Sequence, residues 1–349
     1  MMSYPRSSNA PHPMPVVRQR LMTACVWMLA CWIVASVGGC RPSTNASSTT
    51  APESNTQSIA IQLNWYPEVE HGGVYQAATD GTYKGLGLQV EIRPGGRATP
   101  IAPELVLGRC QFAITNADDV VLFRAQNADV VAVLAAIQEH PRCILVRADS
   151  GVETFADLPG MTLQRQAGRP FLTFLERRGF LEGVRQVPYH NSIAAMVADP
   201  KIAVQAYAVA EPLLAQQQGL EVRTLMVSEL GWNPYSSVLV TTGEMIRDRP
   251  ELVSSVVAAT RLGWQSYLQD PAAANAAILS ANQHGMTEEV LRFGAEKMVP
   301  LARADDDIDH VGQMTQKRWV DLVEQMIELE LIASDTVAPQ DCFTTEFLE

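Results

Sequence analysis

Residues 63–81, LNWYPEVEHGGVYQAATDG, hold a high density of side chains that can form hydrogen bonds or stack on a ring. An ordinary connection between a strand and a helix needs only a few small polar residues. The indole of Trp65 could stack on a flat heterocycle, while Glu68 and His71 could hydrogen-bond its ring nitrogens or an exocyclic amine. Capping explains the acidic residues equally well, because negative charge stabilises the first turn of a helix.

The aromatic pair Trp65 and Tyr66 stands at the predicted end of the first strand. Consecutive side chains of a strand point to opposite faces of a sheet. The sequence therefore predicts that at most one of these two rings lies in a binding cleft. Core packing is the alternative role for either ring, and we select Trp65 as the candidate ligand contact.

Five further candidates follow predicted strands or open predicted helices. Asn116, in the stretch TNADD, can cap a helix. In GRPFL, Gly168 allows close approach of the backbone, and Arg169 can bind an anionic group beside the free N–H groups of a helix start. Tyr207 and Glu211, in AYAVAEP, stand at the end of another strand, where a carboxylate could face an aminopyrimidine.

Catalytic motifs are missing from the sequence. It contains no H-E-x-x-H, no G-x-S-x-G and no P-loop. The segment GLGLQV lacks the third glycine and the preceding strand of a dinucleotide fingerprint. Nothing pairs a nucleophile with a base, so we expect a protein without catalytic activity, cofactor or metal.

Short apolar runs alternate with helical patterns from residue 58 onward. This alternation predicts a parallel or mixed sheet with helices on both faces. It restarts after TFADLPG, residues 154–160, which indicates a second α/β lobe. After one more strand at 236–241 the pattern is helical, with predicted helices at 243–267, 271–283, 287–297 and 310–331.

Two α/β lobes, the second inserted into the first, describe a hinged clamshell with mixed sheets flanked by helices. We assign residues 58–147 and 237–349 to the first lobe and residues 148–236 to the second. The helical C-terminal tail has no sheet of its own and is expected to pack on the first lobe. Such folds bind ligands between the lobes, at the carboxyl ends of strands.

The composition disfavours one class of partner and gives no sign of a disulfide framework. A chain of 349 residues can build two lobes with their own cores, and its net charge of −12 disfavours nucleic acid. Cys110, Cys143 and Cys342 form no disulfide framework and no CxxC motif. We expect buried free thiols, with a single disulfide as the alternative.

The N-terminus is typical of a secreted protein. Arg18 and Arg20 precede an apolar run that ends in small residues, so residues 1–39 are predicted to be a signal peptide. The end of this run, VGGC, resembles the lipobox of bacterial lipoproteins, which implies that Cys40 carries a lipid anchor to the membrane. An uncleaved signal anchor is the alternative, since the run approaches spanning length. Residues 40–57 hold no large apolar residue after the cysteine and are expected to be a flexible tether.

Residues 58–331 resemble the periplasmic solute-binding proteins of ABC importers. The resemblance rests on LNWYPEVEHGGVYQAATDGTYKGLGLQVEI, LVLGRCQFAITNADDVVLFRA, TFADLPGMTLQRQ and YAVAEPLLAQQQGLEV. It implies a type II periplasmic-binding-protein clamshell, monomeric and extracytoplasmic, that delivers a small-molecule ligand to a permease and its ATPase. The resemblance also places the turns at Asn116 and Glu211 beside the ligand.

Within this group, the Asn-Trp-x-Pro strand end and the acidic-His-Gly turn resemble the binders of thiamine pyrimidine precursors. KGLGL stands where that group has an acidic EEGL, and QAGRPFLTFL replaces its Gly-Gly-Thr loop. Sulfonate, nitrate, taurine and riboflavin-like ligands therefore stay open as alternatives. A pyrimidine synthase, as in fungal relatives of this fold, and a ligand-responsive sensor or chaperone module are the alternatives of other classes.

Overall fold

The computed structural model describes residues 56–190, 192–303 and 308–348. The predicted signal peptide, the lipid site at Cys40 and nearly all of the tether lie outside the described residues. None of the helices in the described part combines the length and the apolar character that crossing a bilayer requires.

Two five-stranded sheets organise the fold. The described strands are β1 (Gln57–Gln62), β2 (Leu88–Arg93), β3 (Phe112–Thr115), β4 (Val130–Ile137), β5 (Arg142–Arg147), β6 (Thr162–Arg165), β7 (Arg185–Pro188), β8 (Ile202–Tyr207), β9 (Val222–Met226) and β10 (Ser236–Thr242). The first sheet has the order β2-β1-β3-β10-β4, and the second has the order β7-β6-β8-β5-β9. In both sheets the strand in the fourth place runs antiparallel to its two neighbours. The predicted α/β architecture of two mixed sheets is confirmed.

Helices cover both sheets. Those described are α1 (Gly72–Thr79), α2 (Thr82–Gly85), α3 (Ile101–Val106), α4 (Ala117–Ala125), α5 (Pro170–Arg177), α6 (Ala194–Ala198), α7 (Glu211–Gln217), α8 (Gly243–Asp248), α9 (Pro250–Gln269), α10 (Ala272–Ala281), α11 (Glu288–Ala302) and α12 (Gln316–Glu328). The single helix predicted over 243–267 is interrupted at Arg249, because Pro250 has no N–H and starts a new helix. The helix predicted over 310–331 begins only at Gln316, where the Thr315 hydroxyl caps it.

Two short segments connect the lobes, residues 138–141 between β4 and β5 and residues 227–235 between β9 and β10. The N–H of His140 donates to Oδ1 of Asn233 at 2.8 Å, which joins the two crossings. The predicted lobe boundary at residue 147 is wrong, because β5 pairs with β8 and β9 of the second sheet. Both β4 and β5 are apolar runs, and periodicity does not reveal which sheet a strand joins.

The C-terminal helices pack on the first lobe only in part. Helices α9, α10 and α11 share a core with α1 and the first sheet, as predicted. Trp319, on α12, lies in a second core that combines Val240 of the first sheet with Phe174 of the second lobe. Arg178 and Glu328 form a further link at 3.5 Å between α5 and α12. Helix α12 therefore contacts both lobes, which the sequence pattern did not indicate.

The three described cysteines are buried free thiols. The burial of Cys110 and Cys143 was predicted from the apolar runs that they open and is confirmed, and Cys342 is buried as well. Burial raises the pKa of Cys110 to about 11 and that of Cys342 to about 12. Because the thiolate is the reactive form, these groups are poor nucleophiles at neutral pH.

Candidate ligand-binding site

A cavity of about 460 Å³ lies between the two sheets. The loops that follow β1, β2 and β3 line it from the first lobe, and the loops that follow β6, β7 and β8 line it from the second. Its volume falls within the range of roughly 300–1,000 Å³ that is typical of small-molecule sites. The carboxyl ends of parallel strands thus meet here, as the sequence predicted.

Trp65 and Tyr66 both line the cavity. The prediction that only one ring could do so is wrong, because β1 ends at Gln62 and the aromatic pair lies on an irregular loop. The Gly95 N–H donates to the Trp65 carbonyl at 3.0 Å and fixes this loop against the one after β2. The Tyr66 ring stacks on His284, with 3.7 Å between the ring centroids. The loop therefore presents an aromatic wall to a ligand.

Glu68 and His71 cap the short 3-10 turn Val69–His71 in a reciprocal arrangement. The Glu68 N–H donates to Nδ1 of His71 at 3.3 Å, and Nε2 of His71 lies 3.2 Å from Oδ1 of Asn64. Burial lowers the pKa of His71 to about 3, so the ring is neutral. His71 is completely buried and does not line the cavity, so the structure gives it the capping role rather than the predicted ligand contact.

Glu211 lines the cavity from the first turn of α7, on the opposite lobe. Its Oε2 accepts the Tyr207 N–H at 2.9 Å, and its Oε1 accepts the Tyr189 hydroxyl at 3.3 Å. Burial raises the pKa of Glu211, while these hydrogen bonds and Arg142 oppose the rise. Tyr207 lines the cavity as predicted, whereas Tyr189 and Arg142 were not among the predicted site residues.

The two lobes also meet through Arg169. This residue lines the cavity, as predicted, and its guanidinium lies 3.6 Å from a carboxylate oxygen of Asp119 on α4. The Thr115 hydroxyl donates to the other oxygen of Asp119 at 3.1 Å. Asp119 therefore lies where the sequence analysis placed an anionic group of the ligand beside Arg169.

Two predicted contacts lie away from the cavity. Asn116 is buried, and its Oδ1 accepts the hydroxyl of Ser236 at 2.8 Å, which ties the start of α4 to β10. Gly168 has a φ of +75°, the left-handed conformation that glycine adopts freely, and does not line the cavity. Both residues shape the loops around the cavity, and neither is placed to touch a ligand.

Glu70, on the loop that follows β1, lines the cavity but was not selected as a ligand contact from the sequence. Only 7% of it is exposed, and its Oε2 has no hydrogen-bond partner within the described part of the chain. Burial raises its pKa to about 7, and Glu211 adds to the rise while Arg142 and Arg169 oppose it. For Glu68, burial and the nearby Glu70 and Glu211 raise the pKa well above its usual range. The cavity therefore offers acceptors for ligand N–H groups.

Among the described residues, no group of three or more His, Cys, Asp or Glu side chains could hold a metal ion. The described lining of the cavity includes no serine, cysteine or lysine. Of the side chains that can form covalent intermediates, the lining holds threonines, carboxylates, tyrosines and a histidine. The described side chains of the lining can stack, donate and accept hydrogen bonds, and exclude water.

Two characterised relatives are similar to most of the chain. The riboflavin-binding protein RibY of Chloroflexus aurantiacus is 24% identical over 267 residues, which cover 72% of this chain and 76% of that protein. The formylaminopyrimidine-binding protein of Halalkalibacterium halodurans is 19% identical over 308 residues, which cover 86% of this chain and 93% of that protein. Both relatives are named as binding proteins.

Solved structures share the fold. The periplasmic aliphatic sulphonate binding protein SsuA of Escherichia coli has a TM-score of 0.65 at 15% identity, covering 81% of this chain and 91% of that one. The desulfurization enzyme DSZB has a TM-score of 0.58 at 15% identity, covering 83% and 97%. These likenesses confirm the periplasmic-binding-protein fold, and DSZB shows that the fold by itself does not separate binders from enzymes.

The family profile described as NMT1/THI5 like matches residues 68–274. The match starts at Glu68 and extends through the second lobe to α10, so it includes most of the loops that form the cavity. It covers more than half of the 349 residues. The chain therefore belongs to the NMT1/THI5-like family.

Proposed function

We propose that this protein is the extracytoplasmic substrate-binding component of an ABC importer and that it captures a small nitrogen heterocycle between its lobes. The observation that carries the proposal is the convergence of Glu68, Glu70 and Glu211 with aromatic rings on one cavity between the lobes. Carboxylates accept hydrogen bonds from ring N–H and amine groups, and the rings of Trp65 and Tyr66 offer stacking faces. Binding rather than catalysis is favoured because the two curated relatives are named as binding proteins.

A thiamine pyrimidine precursor is the ligand that we propose first. An aminopyrimidine presents its amine and ring nitrogens in one plane. Its faces could stack on the aromatic rings, and its edges could reach carboxylates of both lobes. A riboflavin-like ligand is the second candidate, because the cavity of about 460 Å³ can take more than one ring. A sulfonate is disfavoured, since the carboxylates would repel it and the three arginines of the described lining have other partners: Arg169 pairs with Asp119, Arg142 lies over the Tyr207 ring and Arg97 donates to the Tyr189 carbonyl.

Closure of the lobes is the proposed mechanism of capture. A ligand that contacts Glu68 on one lobe and Glu211 on the other binds the closed state better than the open state, and so shifts a pre-existing equilibrium. Residues 138–141 and 227–235 are the segments about which the lobes would turn. The permease would then recognise the closed surface and, with its ATPase, drive release.

Calorimetry with three compounds tests the proposed ligand class. Formylaminopyrimidine and riboflavin are expected to bind, and taurine is expected to bind more weakly than either, because it has no ring to stack on Trp65 or Tyr66 and its sulfonate is repelled by the carboxylates. Native mass spectrometry of the freshly purified protein should show a heterocycle that co-purifies with it. Tighter binding of taurine would move the assignment to the sulfonate-binding branch, and absence of binding for both heterocycles would refute the proposal.

We also propose that the protein is a lipoprotein anchored through Cys40. Cys40→Ala is expected to abolish labelling with radioactive palmitate and to block signal-peptide processing, because no other thiol follows the small residues that a lipoprotein peptidase needs. Cys110→Ala, which alters a thiol buried in the folded body, is the control and should leave the labelling intact. Labelling of the Cys40→Ala variant would contradict the lipid anchor.

A further inference from the structure

Three carboxylates from opposite lobes face the same cavity. Glu68 and Glu70 lie on the loop after β1, and Glu211 begins α7 on the second lobe. Glu70 is buried, and the other two are half-buried. Repulsion by Glu211 raises the pKa of both Glu68 and Glu70. The protein thus gathers negative charge where its lobes meet.

The arginines of the cavity offset this charge only in part, since Arg142 and Arg169 oppose the rise in the pKa of Glu70 but do not cancel it. Arg169 is engaged with Asp119 at 3.6 Å. Arg142 lies over the Tyr207 ring, with 4.1 Å between its guanidinium carbon and the ring centroid, and its attraction for Glu70 is smaller than the effect of burial. The charged groups that act most strongly on Glu68 are Glu70 and Glu211, which are both acidic.

The other titratable groups around the cluster do not supply the positive charge that would balance the three carboxylates. Arg97 directs its Nη2 to the Tyr189 carbonyl at 3.4 Å, and the buried His71 is neutral. The remaining groups are Asp118 and Asp119 on α4, Tyr189 and Tyr207 in the second lobe, and His284, whose ring stacks on Tyr66. Asp118 adds a further buried carboxylate beside Asp119 and Arg169.

The unpaired Oε2 atom of Glu70 is the observation that indicates a ligand here. It is buried, belongs to a side chain that lines the cavity, and has no hydrogen-bond partner among the described residues. Buried acceptors are nearly always paired in folded proteins. A donor group on the ligand would complete the pairing, and a donor that also carries positive charge would relieve the repulsion among the three carboxylates.

We propose that Glu68, Glu70 and Glu211 form one subsite for a cationic nitrogen of the ligand, and that neutralising these carboxylates is what allows the lobes to close. The inference rests on the proposed function, because it names the charge of the ligand that the same cavity takes. A protonated ring nitrogen or amine supplies the positive charge when ligand is present. Protons bound to the carboxylates supply it when the cavity is empty.

The sign of the pH dependence follows from the direction of the pKa shifts. Burial raises the pKa of Glu70 and of Asp118 to about 7, and with the neighbouring carboxylates it raises the pKa of Glu68. When the lobes open, water solvates these groups and their pKa values fall toward the usual value of about 4. The ligand-free closed state is therefore favoured at low pH and is lost as the pH rises through about 7.

Small-angle X-ray scattering of the ligand-free protein tests the carboxylate cluster without any ligand. The radius of gyration is expected to increase between about pH 6 and about pH 8.5 as the empty cleft opens. The double variant Glu70→Gln, Glu211→Gln should open less over this range, because two of the three clustered carboxylates no longer ionise. Glu104→Gln removes a carboxylate that pairs with Arg109 outside the cavity, and it should behave like the wild type. A wild-type radius that does not change with pH would overturn the proposal.

Calorimetry with two probes tests the charge of the ligand. An N-methyl aminopyrimidinium, which is permanently cationic, is expected to bind about tenfold more tightly near pH 8.5 than near pH 6, because the ionised fraction of a group with a pKa of about 7 rises by that factor. Glu70→Gln should lose this pH dependence. Tighter binding of the neutral aminopyrimidine than of the cation above pH 7 would overturn the inference and leave the proposed function standing. Closure that follows pH without binding of either probe would support the carboxylate cluster and refute the proposed ligand class.

Discussion

Replacing Glu211 with glutamine is expected to weaken the binding of an aminopyrimidine by about 5- to 150-fold. The amide keeps one acceptor oxygen, which the Tyr207 N–H engages, and it replaces the second carboxylate oxygen with an NH2 group that faces a donor on the ligand as another donor. A buried donor left unpaired costs about 1–3 kcal/mol, which gives this range in the dissociation constant. Calorimetry with formylaminopyrimidine measures the loss.

The thermal midpoint separates this role from a structural one. Glu211→Gln keeps an acceptor for the Tyr207 N–H and removes a repulsive charge, so folding and closure of the lobes should survive. If Glu211 served only to cap α7, affinity would be unchanged and stability would fall by about 1 kcal/mol. Glu104→Gln, on α3 and outside the cavity, should change neither quantity.

The architecture was readable from the sequence because both lobes alternate strongly between apolar strands and amphipathic helices. The repeat of this alternation after residue 154 indicated two lobes, and ten strands in two sheets follow from it. The position of β5 was not readable. Its four central residues, 143–146, are as apolar as β4, and its sheet is decided by pairing with β8 and β9, which lie about 60–80 residues further along the chain.

The same error explains why Arg142 was missed. This arginine opens β5, and a strand assigned to the wrong lobe does not direct attention to its first residue. His284 and Tyr189 were missed for a related reason, since they reach the cavity from loops whose sequence carries no binding motif. Trp65, Glu68 and their partners in the second lobe were found because they directly follow strands, where parallel sheets place their ligands.

His71 was selected because an imidazole on a loop is a versatile hydrogen-bonding group, yet the structure uses both ring nitrogens to hold the loop together. Sequence alone cannot tell whether a polar side chain points into a cleft or back to its own backbone. The carboxylate of Glu68, two positions past Tyr66, does both: it completes the reciprocal cap and also lines the cavity. Capping and ligand binding were weighed as alternatives, and the position of Glu68 is compatible with both roles.

The glycine pair that follows His71 has a packing role that leads to the second large prediction. A Cβ atom at Gly73 would lie 2.2 Å from the Trp264 indole, and one at Gly72 would lie 2.3 Å from the Tyr267 ring. On the facing helix, a Cβ atom at Gly263 would lie 2.2 Å from the Gly73 carbonyl oxygen. Helices α1 and α9 therefore cross at these three glycines, because a larger residue at any of them would collide with Trp264, Tyr267 or the facing backbone.

Gly73→Ala is accordingly expected to destabilise the protein by about 1–3 kcal/mol or more, since overpacking a close helix crossing forces the backbone apart. The thermal midpoint measured by calorimetry should fall by about 2–4 °C for each kcal/mol. Gly85→Ala is the matched control, because its Cβ would meet open space at the end of α2 and alanine favours a helix more than glycine does. If Gly73→Ala were as stable as Gly85→Ala but had lost ligand affinity, the glycine would serve the approach of the ligand rather than the packing of α1 against α9.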